Sequence, residues 1–226
     1  MSTHATTTVD VVLPCLDEAA ALPWVLTHMP SWARPILVDN GSIDRSVEIA
    51  LAHDVEVVVA PRRGYGAACH AGLEAATAPL VAFMDADASL DPRHLEALLT
   101  GYLADDHPGT PHLVVGARQP VTRAAWPVRL RVANRVLAHR VNRVAQTGLR
   151  DIGPMRLAPT EALRSLPIHD RRSGYPVETV LRAAQAGWTI TGVPVPYLER
   201  SGRSKVTGTW LGVARAVSDM SRVLAS

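Results

Sequence analysis

The chain has 226 residues, of which 47% are hydrophobic and 19% are charged, and its formal net charge is +2. A chain of this length can bury a substantial core, and its small net charge does not favour nucleic acid as a partner of the whole molecule. Aromatic residues make up only 4% of the chain, which also argues against a stacking platform for single-stranded nucleic acid.

The first half of the chain, residues 1–106, alternates short apolar runs with segments of helical pattern. The apolar runs predict strands at 9–14, 35–39 and 55–60, and a fourth strand that runs from 79 into the acids after Met84. Helices are predicted to begin near residue 17 and to span 42–52, 67–76 and 92–103. Because strands and helices alternate, we predict an α/β fold with a mostly parallel central sheet flanked by helices.

The second half, residues 107–226, is less regular, and we expect it to share one core, and therefore one domain, with the first half. Further strands are predicted at 113–116, 149–157 and 188–195, and helices at 126–147, 160–166, 177–186 and 210–224. Residues 200–209 read as a basic loop. No Asp or Glu lies between His107 and Arg150, so one positive surface is predicted from Arg118, Arg123, Arg129, Arg131, Arg135, Arg140, Arg143 and Arg150.

The apolar run that begins at Pro79 ends in two acids separated by one residue, Asp85 and Asp87. Residues i and i+2 of a strand point to the same side, so both carboxylates are expected at the carboxyl end of a parallel strand, where open α/β sheets bind ligands. Two converging carboxylates repel each other unless a cation intervenes, and hard oxygen ligands suit Mg²⁺ or Mn²⁺. The alternative is a plain strand followed by a helix that Asp91 caps, with Asp87 exposed.

Glu18 and Asp39 also lie at the ends of predicted strands, and therefore at the same edge of the sheet. Carboxylates at such an edge can accept hydrogen bonds from the base and ribose of a nucleotide, while a metal neutralises its diphosphate. Helix capping is the competing interpretation, and Asp17 and Asp44 stand where N-caps are expected. The common location of the acids favours the nucleotide.

The segment Arg63-Gly64-Tyr65-Gly66 precedes the helix predicted at 67–76. Cys69 stands where a dinucleotide fingerprint requires glycine or alanine, and no acid follows at the expected spacing, so a dehydrogenase is disfavoured. Glycines before a helix allow a phosphate or sugar to approach the backbone closely, with arginine as countercharge. An ordinary turn is the alternative.

Two features of the second half could also contribute to a binding site. Glu178 places a carboxylate beside a short predicted helix, and residues 200–205 hold three cations, Arg200, Arg203 and Lys205, next to a glycine. Such a loop suits closure over a diphosphate or an acceptor phosphate. A solvated surface loop is the alternative.

Together, these segments resemble the family 2 glycosyltransferases of the GT-A fold, in particular the branch of dolichyl-phosphate mannose and polyprenyl-phosphate glucose synthases. Each segment is short, but their order and spacing along residues 9–210 are specific. In chain order, the matching segments are 13–18, 38–44, 63–68, 84–92, 151–156, 175–178 and 200–205.

The resemblance implies a nucleotide-sugar donor, a UDP- or GDP-hexose, and a divalent metal, Mg²⁺ or Mn²⁺. It implies that the base and ribose are held by Pro14, Glu18 and Asp39. Asp87 would bind the metal on the diphosphate, and Asp85 would lie beside the nucleotide as the second candidate ligand of the metal.

The resemblance also implies roles for the glycine segment and the basic loop. Gly64 and Gly66 would lie near the ribose or diphosphate, together with Arg63. Arg200, Ser204 and Lys205 would belong to a loop that closes on the phosphates. Glu178 falls where relatives carry an acid near the acceptor or the donor sugar.

The predicted reaction is inverting transfer of the hexose to a polyprenyl phosphate. Departure of the diphosphate builds negative charge, which the metal, Arg200 and Lys205 would stabilise. A phosphate acceptor is already anionic near neutral pH, whereas a hydroxyl acceptor needs a base, for which Glu178 is the candidate. The alternatives are a soluble metabolite or glycan as the acceptor, or an inactive nucleotide-binding partner subunit.

Location in the cytoplasm is expected from the cysteines and the apolar runs. Cys15 and Cys69 are too few for a disulfide framework, and no apolar run approaches the roughly 18 residues of a transmembrane helix. The sequence predicts no particular oligomeric state. Contact with the inner face of a membrane would involve the arginine-rich helix or an apolar stripe in the last predicted helix. The stripe consists of Trp210, Val213, Val217, Met220 and Leu224. The alternative is that this stripe faces the core.

Overall fold

The structure is a computed structural model that describes residues 9–104 and 109–201. One sheet contains strands from both halves of the chain. Its strands are β1 (Val9–Cys15), β2 (Ala33–Asp39), β3 (Glu56–Val59), β4 (Leu80–Phe83), β5 (His112–Pro120), β6 (Arg156–Pro159) and β7 (Thr189–Tyr197). Helices are α1 (Leu22–Thr27), α2 (Ser46–Ala52), α3 (Tyr65–Ala75), α4 (Leu95–Leu103), α5 (Val128–Ala145), α6 (Thr160–Ser165) and α7 (Tyr175–Gln185).

The strand order is β3-β2-β1-β4-β6-β5-β7, and the sheet is mostly parallel, as predicted. Strands β1 to β4 are parallel to one another, and β7 is parallel to β5. Only β6 runs the other way, because it pairs antiparallel with both β4 and β5. The carboxyl ends of the other strands therefore meet at one edge of the sheet, and the first residue of β6, Arg156, lies at that same edge.

Helices cover both faces of the sheet, which explains why the central strands β1 and β4 are almost entirely buried. Val9, Val11 and Leu13 of β1 pack in one core cluster with α1 and α4, whereas Val12 packs in a second cluster with α3, α5 and α7. This alternation follows from the two-residue period of a strand. Within the described residues, no helix is both long enough and apolar enough to span a membrane.

The starts of α1 and α2 lie several residues after their predicted positions. Asp17 has a left-handed backbone, with φ of 53°, and its carboxylate accepts a hydrogen bond from the Ile43 N–H at 2.8 Å. The Asp44 carboxylate accepts in turn from the N–H groups of Ala19, at 3.0 Å, and Ser46, at 2.9 Å. Because these acids join the loops after β1 and β2 to each other, Asp17 does not cap a helix at the predicted position.

Other predicted elements agree with the structure in type and differ at their ends. The strand predicted at 149–157 begins later than expected, because residues 150–155 form a loop and β6 starts at Arg156. The long arginine-rich helix is α5. It ends before Gln146, whose backbone is left-handed with φ of 51°. Asp91 caps a short 3-10 helix at Pro92–His94 by accepting from the Arg93 N–H. The predicted helix at 210–224 and most of the basic loop lie outside the described residues.

A buried carboxylate near the start of β1 joins three segments at the edge of the sheet opposite the strands' carboxyl ends. Asp10 is fully buried and accepts hydrogen bonds from Arg34 Nε and Nη2, both at 2.7 Å. It also accepts from the N–H groups of Thr77, at 2.6 Å, and Ala78, at 2.9 Å. Burial alone raises the pKa of Asp10, but the hydrogen bonds from Arg34, Ala78 and Thr77 outweigh it, and the pKa is lowered.

We predict that Asp10→Asn lowers the free energy of unfolding by about 2–4 kcal/mol at neutral pH, because it removes one partner of a buried charged network. Since the pKa of Asp10 is lower in the folded state, this stability is present above the ordinary value of 3.8 and is lost as pH falls through the lowered pKa. Urea unfolding at several pH values measures both effects. Glu56→Gln is the control, because the exposed Arg34–Glu56 pair at 3.5 Å contributes at most about 1 kcal/mol. Equal losses in both variants would contradict the prediction.

Candidate active site

Asp85 and Asp87 lie in a loop after β4 and not on the strand itself. Strand β4 ends at Phe83, and the expected alternation of i and i+2 side chains along a strand is therefore wrong. The loop is held by Asp87, whose Oδ1 accepts from Ser89 N at 2.9 Å and Ser89 Oγ at 2.5 Å, and Ala88 is left-handed with φ of 61°. Asp87 is only 4% exposed, so the alternative of an exposed Asp87 is also wrong.

The acids of this loop interact electrostatically. Burial, followed by the charge of Asp87, raises the pKa of Asp85 to about 6. The positive charges of Arg118, Arg200 and Arg156 act in the opposite direction. The two acids are thus close enough to repel each other, as the sequence predicted, and arginines from the second half of the chain partly compensate for this repulsion.

Arg200 forms the closest of these contacts. Its Nη2 lies 2.8 Å from Asp87 Oδ2 and 3.5 Å from Glu18 Oε1, so one guanidinium joins two acids that follow different strands. The backbone strengthens this contact, because Leu198 N–H donates to Ser89 O at 2.8 Å and Ser201 N–H donates to Asp87 O at 2.9 Å. The segment after β7 is thereby fixed on the acidic loop. Ser204 and Lys205 follow this segment and lie outside the described residues.

The three residues expected to hold the base and ribose lie at the carboxyl edge of the sheet. Pro14 is in β1, opposite Val38 of β2, and Glu18 is buried in the following loop. Asp39 ends β2, and its carboxylate accepts from the N–H groups of Gly41, at 3.3 Å, and Ser42, at 2.9 Å. The structure therefore brings these residues to one edge, and their contact with a nucleotide stays a prediction.

The glycine segment packs closely against another part of the protein. Gly64 has φ of 145°, and a Cβ added to it would lie 2.2 Å from the carbonyl oxygen of Arg171. The N–H groups of Gly66 and Ala67 donate to the carbonyls of Arg172, at 3.0 Å, and Arg171, at 2.8 Å. These donors at the start of α3 are therefore engaged by the protein itself, and glycine is required here by the 171–172 backbone.

Arg63 lies beside the same segment and is exposed. Its Nη2 donates to the carbonyl of Gly41 at 3.2 Å, in the turn that Asp39 holds. Gly64 N–H donates to Asn40 Oδ1 at 3.1 Å. The glycine segment is thus joined to the turn after β2, where the base and ribose are expected, and a role for it near the ribose or diphosphate stays a prediction.

Glu178 is buried near the start of α7 and binds the segment before that helix. Its Oε2 accepts from the N–H groups of His169, at 2.9 Å, and Asp170, at 2.6 Å, and its Oε1 lies 3.3 Å from Arg182 Nη2. The contacts identified for Glu178 all lie within residues 169–182 and none is to Asp85 or Asp87. Its expected role near the acceptor or sugar stays a prediction, and the contacts seen here are those of a residue that holds a loop.

Arg118 and Asp151 form a pair near Asp85. Arg118 was predicted on a positive surface and Asp151 in a segment that matches the family, but neither was predicted as a binding or catalytic residue. Asp151 accepts from Arg118 Nε at 2.9 Å, Nη2 at 2.8 Å and the backbone N–H at 2.8 Å. The Arg118 guanidinium also lies 4.0 Å from the Trp126 ring centroid and 5.3 Å from that of Tyr197. One signal could have identified this pair, since Asp151 is the first acid after the long acid-free stretch that contains Arg118.

Arg156 lies beneath this site and is only 1% exposed. Its guanidinium packs 5.1 Å from the Phe83 ring centroid and 5.9 Å from that of Tyr175, and within the described residues its nitrogens have no hydrogen-bond partner. Burial raises the pKa of the nearby Cys69 thiol to about 12, against the charge of Arg156. A buried, unpaired charge acts over a long range, and it favours the ionised form of Asp85.

The acidic loop fits a divalent cation only if the ligand supplies further oxygen atoms. Among residues 9–104 and 109–201, no group of three or more His, Cys, Asp or Glu side chains could hold a metal ion. Asp85 and Asp87 provide two carboxylates at the sheet edge. Mg²⁺ in proteins commonly keeps several waters and binds through one or two carboxylates together with substrate phosphates, and these two residues fit that pattern.

Comparison with known proteins identifies the family. Residues 10–165 match Glycosyl transferase family 2. The chain belongs to this family. An uncharacterised glycosyltransferase of Mycobacterium tuberculosis is 44% identical over 217 residues, which are 96% of this chain and 97% of the relative. The dolichyl-phosphate hexose transferase of Haloferax volcanii is 28% identical over 205 residues, which are 87% of this chain and 85% of the relative.

Solved structures share the fold of this family 2 glycosyltransferase. The glucosyl-3-phosphoglycerate synthase of Mycobacterium tuberculosis, crystallised with Mn²⁺, UDP-glucose and phosphoglyceric acid, superposes with a TM-score of 0.77 at 21% identity. The match covers 98% of this chain and 81% of that one. The predicted GT-A fold and the prediction of a glycosyltransferase are therefore confirmed.

We predict that Asp85→Asn stabilises the protein at neutral pH. The pKa of Asp85 is about 6 in the folded state and has an ordinary value of 3.8, so folding favours the protonated acid and stability falls as pH rises between these values. Asparagine removes this loss. We expect a gain of about 2–3 kcal/mol above pH 6, or about 4–12 °C in Tm, that disappears near pH 4.

Thermal unfolding in chelator-treated buffer from pH 4 to pH 8 measures this difference. Asp91→Asn is the matched control from the same loop. Burial raises the pKa of Asp91, but the hydrogen bonds from Arg93 outweigh burial, so the pKa is lowered overall. The ionised form of Asp91 therefore stabilises the fold, and Asp91→Asn should lose stability at neutral pH. A gain for Asp85→Asn that is constant over the whole pH range would contradict the assignment.

Proposed function

We propose that the protein is a Mg²⁺- or Mn²⁺-dependent glycosyltransferase that moves a hexose from a UDP- or GDP-sugar to a soluble, anionic small molecule. The observation that carries this proposal is the acidic pair Asp85 and Asp87 at the carboxyl edge of the sheet, next to the guanidinium of Arg200. A protein of the same fold crystallised with Mn²⁺, UDP-glucose and phosphoglyceric acid supports the classes of donor and acceptor.

The donor would lie across the edge formed by β1, β2 and β4. Pro14, Glu18 and Asp39 surround the expected position of the base and ribose, and Arg63, Gly64 and Gly66 border it. A metal bound by Asp87 and Asp85 would neutralise charge on the diphosphate. Arg200 balances Asp87 in the free protein, and its guanidinium could turn to the diphosphate together with Ser204 and Lys205.

The acceptor would lie on the other side of the acidic loop, near Arg118. This guanidinium is held in position by Asp151 and Trp126, and it comes from a stretch without acids. An anionic acceptor would be held by such a cation. An acceptor phosphate or carboxylate that itself attacks needs no base, whereas for a hydroxyl nucleophile Glu178 stays the candidate from the sequence.

A polyprenyl phosphate is the second candidate acceptor. With either acceptor, attack of the acceptor on the sugar from the face opposite the diphosphate would invert the anomeric centre. The relative from Haloferax volcanii, named as a dolichyl-phosphate hexose transferase, supports this candidate. The soluble acceptor is preferred because a protein of the same fold, which superposes on 98% of this chain, was crystallised with phosphoglyceric acid. An inactive partner subunit is the third candidate, and its mark would be nucleotide binding without turnover.

The donor is tested by thermal shift with a set of UDP- and GDP-hexoses, with and without Mn²⁺. A true donor should raise Tm only when the metal is present, because binding to the folded state stabilises it by mass action. Asp87→Asn should abolish this metal-dependent shift and lower kcat/KM by about 100-fold or more, since several kcal/mol of charge stabilisation are lost. Asp91→Asn is the control and should keep both. Full activity of Asp87→Asn would contradict the proposal.

The acceptor is tested by measuring release of the nucleoside diphosphate with two sets of acceptors. Phosphoglycerates and related phosphorylated acids form the soluble set, and polyprenyl phosphates in detergent form the lipid set. We expect turnover with the soluble set, and Arg118→Gln should raise the KM for this acceptor about tenfold or more, because a charged contact to the anionic acceptor is lost. Turnover with the lipid set alone would favour the second candidate. Nucleotide binding without any turnover would favour the third.

A further inference from the structure

We infer that the outer surface of α5 docks on an anionic lipid bilayer. This surface is defined by residues that point away from the core, namely Val128, Arg131, Val132, Arg135, Val136, Arg140 and Arg143. The inference concerns binding alone, and it holds whichever acceptor the active site uses.

The middle of this surface is apolar. Val128 is 66% exposed, Val132 is 57% exposed and Val136 is 49% exposed. Residues four apart lie one above the other on a helix, so the three valines form a continuous stripe. The buried residues of α5, Ala138 and Val141, lie on the opposite side. A helix that faces only water has no need of such a stripe, because its outer face is normally polar.

Arginines flank the stripe on both sides. Successive helix residues are about 100° apart, which places Arg131 and Arg135 on one side of the valines and Arg140 on the other. Arg143 extends the positive charge along the next turn, and these four arginines are exposed. Apolar side chains between long cationic ones are typical of a helix that lies in a membrane interface, where the cations reach the lipid head groups.

Charge decides between the possible occupants of this surface. The sequence has no Asp or Glu between His107 and Arg150, so a second copy of α5 would bring two sets of arginines together. The segment 202–226 of the same chain contains four cations, Arg203, Lys205, Arg215 and Arg222, against one acid, Asp219. Both occupants would add like charge. An anionic bilayer supplies negative head groups for the arginines and an apolar layer for the valines.

The inference is tested by co-sedimentation of the full chain with lipid vesicles. We expect at least about tenfold stronger binding to phosphatidylcholine vesicles that contain phosphatidylglycerol than to pure phosphatidylcholine, and loss of this binding in high salt. The double variant Arg131→Gln/Arg135→Gln should lose the preference for the anionic lipid. Val132→Gln/Val136→Gln should weaken binding about tenfold while the charge is unchanged.

Matched controls are Arg45→Gln and Leu51→Gln, which change one exposed arginine and one exposed apolar residue at α2, on the other face of the sheet. Both should bind vesicles like the unaltered protein, and the Tm of every variant checks its fold. Equal binding to both kinds of vesicle, or no binding to either, would overturn the inference. Unchanged binding of the valine variant would also overturn it, as would binding to polyglutamate without binding to vesicles.

Discussion

The charge balance around Asp85 and Asp87 is the interaction on which the candidate active site depends. Burial, followed by the charge of Asp87, destabilises the ionised form of Asp85 and raises its pKa. The opposing charge comes from Arg118 in β5, Arg156 in β6 and Arg200 after β7. Since the acids belong to the first half of the chain and the arginines to the second, the site exists only where the two halves share one sheet.

A second constraint is a series of hydrogen bonds from α7 to the glycine segment. Glu178 holds the backbone at 169–170, and the carbonyls of 171 and 172 then hold the start of α3. We therefore expect a change at Glu178 to alter the position of Gly66 and of the turn around Asp39. Effects of such a change on donor binding would arise through the position of this segment as well as through any direct contact.

Most elements could be predicted from the sequence, because apolar periodicity reports burial directly. Their ends could not be predicted as well. The positive φ of Asp17 and the contact of Asp44 with Ala19 depend on two loops meeting in space, and they move the starts of α1 and α2. Similarly, β4 ends at Phe83, and the loop after it is held by the hydrogen bonds from Ser89 to the Asp87 carboxylate. No periodic pattern in the sequence predicts that loop.

By itself, the sequence determined the family, the fold and the presence of acids at the carboxyl edge of the sheet, because short motifs in a fixed order are local properties of the chain. Only the tertiary structure decided which charges meet. Arg118 and Asp151 are 33 residues apart, and Arg200 reaches Glu18 across 182 residues. Apart from the acid-free stretch before Asp151, such pairs leave no pattern along the chain, since an arginine in a sequence looks the same whether its side chain is solvated or bound to a buried carboxylate. The antiparallel course of β6, which carries Arg156 to the site, was likewise settled by strand pairing in space.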